Sequence, residues 1–185
     1  MSTSVNQSEY EKVKSLVLTT ISNISIGPTA TNVAFMVFSG RAEVVFHLNT
    51  YIENKTSVME AIGSQAHTGG STFLGDAIKL ATSDVFTETN GDRPDAENVV
   101  LLFTDGESSA DEDVRSSIDE LKSKAEVFVV TVTAEVDNST VDFVASSPSL
   151  NHVFRIDAPE TANIVRNVTT SETCATIPPV ANTAD

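Results

Sequence analysis

Two apolar runs constrain this chain more than any other feature: Val99-Val100-Leu101-Leu102-Phe103 and Val127-Phe128-Val129-Val130-Thr131-Val132. Neither alternates apolar with polar residues, so a strand made from either carries apolar side chains on both faces and must be covered on both. Between them Val114, Ile118 and Leu121 recur at helical spacing, and Ser109-Ala110-Asp111-Glu112 before them has capping-box form. A strand, a helix and a second strand in close succession form a parallel pair with a crossover helix.

The alternation continues in both directions. Tyr10, Val13, Leu16, Val17, Ile21 and Ile24 step by three and four residues and define a first helix, which Gly27-Pro28 stops. The run from Asn32 to Phe38 is a buried strand, Gly40 turns the chain, and Glu43 to Leu48 returns as a hairpin partner at the sheet edge. A short helix falls around Val58, Met59 and Ile62, and another after Gly69-Gly70 turns Leu74, Ala77, Ile78 and Ala81 inward. A helix near Val141–Val144, a strand at His152–Ile156 and a last helix near Ala162–Val165 follow. The expected fold is α/β and doubly wound: a mostly parallel central sheet, helices on both faces, one antiparallel edge strand. From Ser171 the chain turns Thr-, Pro- and Ala-rich, so residues 1–170 are expected to form one domain and 171–185 a linker or tail.

Charge narrows the partners. Eleven Lys and Arg against 26 Asp and Glu leave a net charge of −15, which repels nucleic acid and anionic lipid alike. No run of about 18 apolar residues is present to enter a membrane, and no basic, apolar leader follows Met1. Five Asn-x-Ser/Thr sequons, at Asn6, Asn23, Asn54, Asn138 and Asn167, favour a secreted origin, and the chain is then expected to be part of a longer precursor. Cys174 is the single cysteine.

Ligands of an open α/β sheet bind at the carboxyl ends of its strands, and three oxygen-rich segments should gather there. These are Met1-Ser2-Thr3-Ser4-Val5, Gly69-Gly70-Ser71-Thr72-Phe73 and Phe103-Thr104-Asp105-Gly106. Several hydroxyls with one carboxylate suit a hard divalent cation. The same residues have plainer readings: Ser2, Ser4 and Thr72 are good helix caps, and Asp105-Gly106 is a common turn. His47, His67 and His152 lack Cys/His ligand spacing, so no zinc site follows. Gly69-Gly70-Ser71-Thr72 lacks the lysine of a phosphate loop, and no nucleophile elbow or supported Cys/His pair occurs, which leaves no enzyme reading.

In their order, these three segments resemble the von Willebrand factor type A family, whose metal-ion-dependent adhesion site combines Asp-x-Ser-x-Ser, a Thr after a Gly-Gly turn, and Thr-Asp-Gly. Ile26-Gly27-Pro28, Phe38-Ser39 and His152-Val153-Phe154 resemble family positions as well, and the likeness covers about residues 1–168. It implies metal ligation by Ser2, Ser4, Thr72 and Asp105, with Mg²⁺ or Mn²⁺ as the ion and an acidic side chain of a protein partner completing its shell. Collagen, another matrix protein or a receptor are the partners implied, in an extracellular setting. The family's first aspartate, and the central strand that it ends, would fall before Met1; without them the resemblance implies a core strand missing from this chain and weak or absent metal binding. It also implies that Cys174 pairs with a cysteine ahead of that strand. The alternative is a metal-independent structural module of extracellular matrix.

Overall fold

The computed structural model describes residues 5–67, 73–105, 112–133, 136 and 138–168. Helix α1 spans Gln7–Asn23, β1 Phe35–Phe38, β2 Ala42–Phe46, α2 Lys55–Gly63 and α3 Leu74–Leu80. Then come β3 Val99–Thr104, α4 Glu112–Lys124, β4 Glu126–Thr131, α5 Asn138–Val144, β5 Val153–Arg155 and α6 Thr161–Val168. The α/β alternation expected from the sequence is present, with three differences of detail. Strand β1 begins at Phe35 rather than Asn32. Strand β2 ends at Phe46, because a Thr50 hydroxyl accepts from the His47 amide and turns the chain. Strand β5 starts at Val153, with His152 closing a short 3-10 turn in front of it.

The strands form two sheets. Strands β1 and β2 pair antiparallel, Phe35 opposite Phe46 and Phe38 opposite Ala42. Strands β3, β4 and β5 pair parallel in that order, with Val99 opposite Glu126, Thr104 opposite Thr131 and Val130 opposite Phe154. Among the described residues no strand joins β1 to β3.

Period-two alternation sends the side chains of each strand to two helical layers. On one face Val127 and Val129 of β4 meet Leu74 and Ile78 of α3, Ile118 and Leu121 of α4, and Val141 and Val144 of α5. Met36, Phe38, Val100 and Leu102 pack against the same cluster. On the other face α1 covers the sheet in two places: Val13 packs with Val132 and Phe103, and Ile21 with Phe46 and with Val58 and Ile62 of α2. Helices on both faces make this the doubly wound arrangement. No helix among the described residues is long and apolar enough to cross a membrane.

Helix α1 owes its start to a feature hidden by the sequon at the same place. Asn6 accepts from the Glu9 amide through its side chain at 3.0 Å, and the Glu9 carboxylate accepts from the Asn6 amide at 2.9 Å. This reciprocal pair satisfies two donors that the first turn would otherwise leave open. The box expected at Ser109 lies outside the described residues.

Candidate metal-binding site

Asp105 directly follows β3, at the carboxyl end of a parallel strand, where the sequence places it. Its neighbours explain how it is held. Thr104 is the last strand residue, and its carbonyl accepts from the Val132 amide at 2.9 Å. The Thr133 hydroxyl donates to the Asp105 carbonyl at 3.2 Å, so the end of β4 fastens the loop after β3. Asp105 is 2 % exposed, among the most buried polar residues described. A buried carboxylate must be paired, hydrogen-bonded or bound to a cation, because its charge is costly to bury alone.

The described flanks of the other two segments lie close by. Val5, immediately after Ser4, is 2 % exposed and packs in one cluster with Phe103 and Val132, one residue before Thr104 and one after Thr131. Helix α1 therefore starts beside the ends of β3 and β4, through burial of Val5 and the Asn6 cap. Tyr10, in the same cluster, reaches the third segment: its hydroxyl donates to the Gln65 carbonyl at 2.8 Å, and its ring lies 5.1 Å from that of His67. Burial raises the Tyr10 pKa, and the neighbouring Glu11 carboxylate adds to the rise, so the phenol stays a donor at neutral pH. The chain leaving His67 leads to residues 68–72.

Of the four expected ligands only Asp105 is described; Ser2, Ser4 and Thr72 lie outside the described residues, as does Cys174. Among the described residues no three His, Cys, Asp or Glu side chains gather in a metal-binding group. The donor that is placed, a hard carboxylate at a strand end, fits Mg²⁺ or Mn²⁺ better than a soft metal.

Two of the histidines face a carboxylate. His152 is 5 % exposed, with Nδ1 2.9 Å from the Pro148 carbonyl and Nε2 2.7 Å from the Glu126 carboxylate. It closes the space between the start of β4 and β5. His47 Nε2 lies 2.8 Å from Asp84, whose other oxygen accepts from Asn90.

The sequons differ in what their side chains do. Asn6 and Asn54 are helix caps that use Oδ1, Asn54 accepting from the Ser57 amide at 3.0 Å, and this leaves the amide nitrogen for a glycan. Asn23 spends an amide hydrogen on the Thr19 carbonyl. Asn167 is exposed on α6, and Asn138 opens α5. The Asn6 box was readable in advance from Asn-x-x-Glu before an apolar helical pattern. The roles of Tyr10 and Thr133 were not, since each binds residues far away in sequence.

With this geometry in place, comparison with known proteins gives the class. The family model of the von Willebrand factor type A domain matches residues 1–167, and the chain belongs to that family. It is 31 % identical to mouse matrilin-2 over 163 residues, which is 84 % of this chain and 16 % of that protein. It is 32 % identical to chicken matrilin-3 over 171 residues, 91 % of this chain and 36 % of the relative. The chain thus spans well under half of the length of these relatives. Among solved structures, proximal thread matrix protein 1 from the mussel byssus superposes with a TM-score of 0.77 at 21 % identity, covering 91 % of this chain and 44 % of that one. Manganese-loaded TRAP protein of Plasmodium vivax gives 0.75 at 15 % identity, covering 91 % of this chain and 70 % of the other. These likenesses show the fold. A further structure of the byssus protein carries zinc in its adhesion motif.

Proposed function

We propose that this chain is an extracellular adhesion module, not an enzyme, in which a divalent cation bridges the protein to an acidic side chain of a partner. The observation that carries the reading is Asp105, a buried carboxylate at the carboxyl end of β3, with Val5 packed in the cluster that holds Phe103 and Val132, and Tyr10 of that cluster bonded to Gln65. Ser2, Ser4 and Thr72 supply neutral hydroxyls and Asp105 the charge; so few anionic donors leave the ion electrophilic enough to take a carboxylate from outside. Mg²⁺ is the proposed ion, with Mn²⁺ as a substitute. Matrilins and a collagen chain among the relatives support an extracellular, matrix-associated setting and a protein partner such as collagen, another matrix protein or a receptor. The binding domain is residues 1–170, with 171–185 as tail, and glycans are proposed on Asn6, Asn23, Asn54, Asn138 and Asn167. Cys174 is proposed to form a disulfide with a cysteine outside this chain.

The test is calorimetric titration of Mg²⁺ and Mn²⁺ into the chain and into a fusion that places an apolar strand ending in Asp ahead of Met1. Weak binding by the chain and tighter binding by the fusion are expected, with Thr72→Ala weakening partner binding more than cation binding. No heat with either protein would favour the metal-independent matrix module instead.

A further inference from the structure

Of the five sequons, Asn54-Lys55-Thr56 alone has a Phe, Trp or Tyr within the three positions ahead of its asparagine, and that residue is Tyr51. We propose that the first N-acetylglucosamine of a glycan on Asn54 lies against the open part of the Tyr51 ring and thereby stabilises the fold. The inference rests on the reading of Asn54 as a glycan acceptor and adds to it the surface that the sugar covers.

The backbone brings ring and acceptor together. The Asn54 amide donates to the Tyr51 carbonyl at 3.2 Å and closes a turn over Tyr51, Ile52, Glu53 and Asn54. Glu53, third in that turn, has a φ of 71°, the left-handed value that a type II turn requires and that residues other than glycine adopt at a cost. A turn of this kind holds the Cα atoms of its first and last residues within about 7 Å. The acceptor side chain is oriented as well. Asn54 Oδ1 accepts from the Ser57 amide at 3.0 Å as the cap of α2. A sugar joined through Nδ2 leaves that oxygen an acceptor, so cap and glycan coexist. Asn54 and Thr56 are both exposed.

The ring is fixed from the other side. Tyr51 meets Phe46 edge to face, with centroids 5.1 Å apart and planes at 66°, over the cluster that holds Val58 and Ile62. It is only partly buried, and Ile52 beside it is 40 % exposed, so apolar surface stays uncovered next to the acceptor. A pyranose suits that surface, because its axial C–H bonds form an apolar face whose partial positive charge meets the negative face of an aromatic ring. A protein partner suits it less: part of one tyrosine and one isoleucine fall far short of the roughly 800 Å² that each side of a stable interface buries.

The test uses the chain secreted from mammalian cells behind a cleavable leader, with glycopeptide mass spectrometry to read the occupancy of Asn54. Thr56→Ala removes the sequon and keeps the cap, and Tyr51→Leu removes the ring; both single variants, the double variant and the unsubstituted chain are melted side by side. Thr56→Ala should lower the melting temperature by about 2–4 °C when Tyr51 is present and by less than about half of that in the Tyr51→Leu background, the difference being the contact itself. Should Tyr51→Leu fail to fold, the unsubstituted chain trimmed to one sugar per site supplies a second readout by NMR. Cross-relaxation between the Tyr51 ring protons and the sugar on Asn54 is expected, with the N-acetyl methyl signal of that sugar moved upfield by the ring. Equal losses in the two backgrounds, or no contact between sugar and ring, would overturn this inference and leave the glycan in place. An unmodified Asn54 would remove the glycan reading at that sequon and this inference with it.

Discussion

Strands β3 and β4 have nearly the same composition and very different surroundings. Val99-Val100-Leu101-Leu102-Phe103-Thr104 stays half-buried up to its last residue, whereas Val127, Phe128, Val129 and Val130 are at most 1 % exposed. The difference is the neighbour. Strand β4 has β3 on one side and β5 on the other; among the described residues β3 pairs with β4 alone. An apolar sequence decides that a strand needs cover on both faces, but the pairing of its two edges decides how much cover it receives.

This contrast can be broken by mutation. The largest loss is expected deep in the cluster that β4 shares with its helices: Ile118→Ala, at a residue with 0 % exposure, should cost about 2–5 kcal/mol in urea unfolding. The sharper comparison is the register pair Val127 and Val100. Val127→Ala should cost about 2 kcal/mol and Val100→Ala about half of that, since the first leaves a void in a fully buried site and the second truncates a side chain that is already partly exposed. Equal costs would mean that β3 is as well packed as β4, and the contrast between the two strands would fail. A smaller effect is expected at the start of α1, where Asn6→Ala should cost about 1 kcal/mol by removing one arm of the capping box, and Asn6→Asp should restore most of it. No change with Asn6→Ala would mean that Val5 alone anchors the helix.

Most of the fold was legible because it is written locally. Helical spacing in Tyr10 to Ile24 and in Val114 to Leu121, and unbroken apolar runs at β3 and β4, each specify an element without reference to the rest of the chain. The position of Asp105 was legible for the same reason, as the first residue after an apolar run. Its burial was not, because that depends on Thr133 and on the end of β4, which meet it only in three dimensions. The antiparallel partner of Phe35 to Phe38 was legible from the Gly40 turn, whereas the register shift between Phe35 and Met36 is set by contacts that local pattern does not show. The Asn6 cap was legible in Asn-x-x-Glu but lay behind the sequon that the same asparagine opens.

The most direct test of the cation reading is Mn²⁺ binding, followed by calorimetry and by the paramagnetic signal of the ion, in the chain and in Asp105→Asn. Asparagine keeps the size of the buried side chain and removes its charge, so the urea midpoints of both proteins should be compared alongside. The expected result is Mn²⁺ binding by the chain that falls at least about tenfold in Asp105→Asn with little change in fold, as removal of the one anionic donor requires. Equal Mn²⁺ affinity in the two proteins, both folded, would contradict a cation site at Asp105.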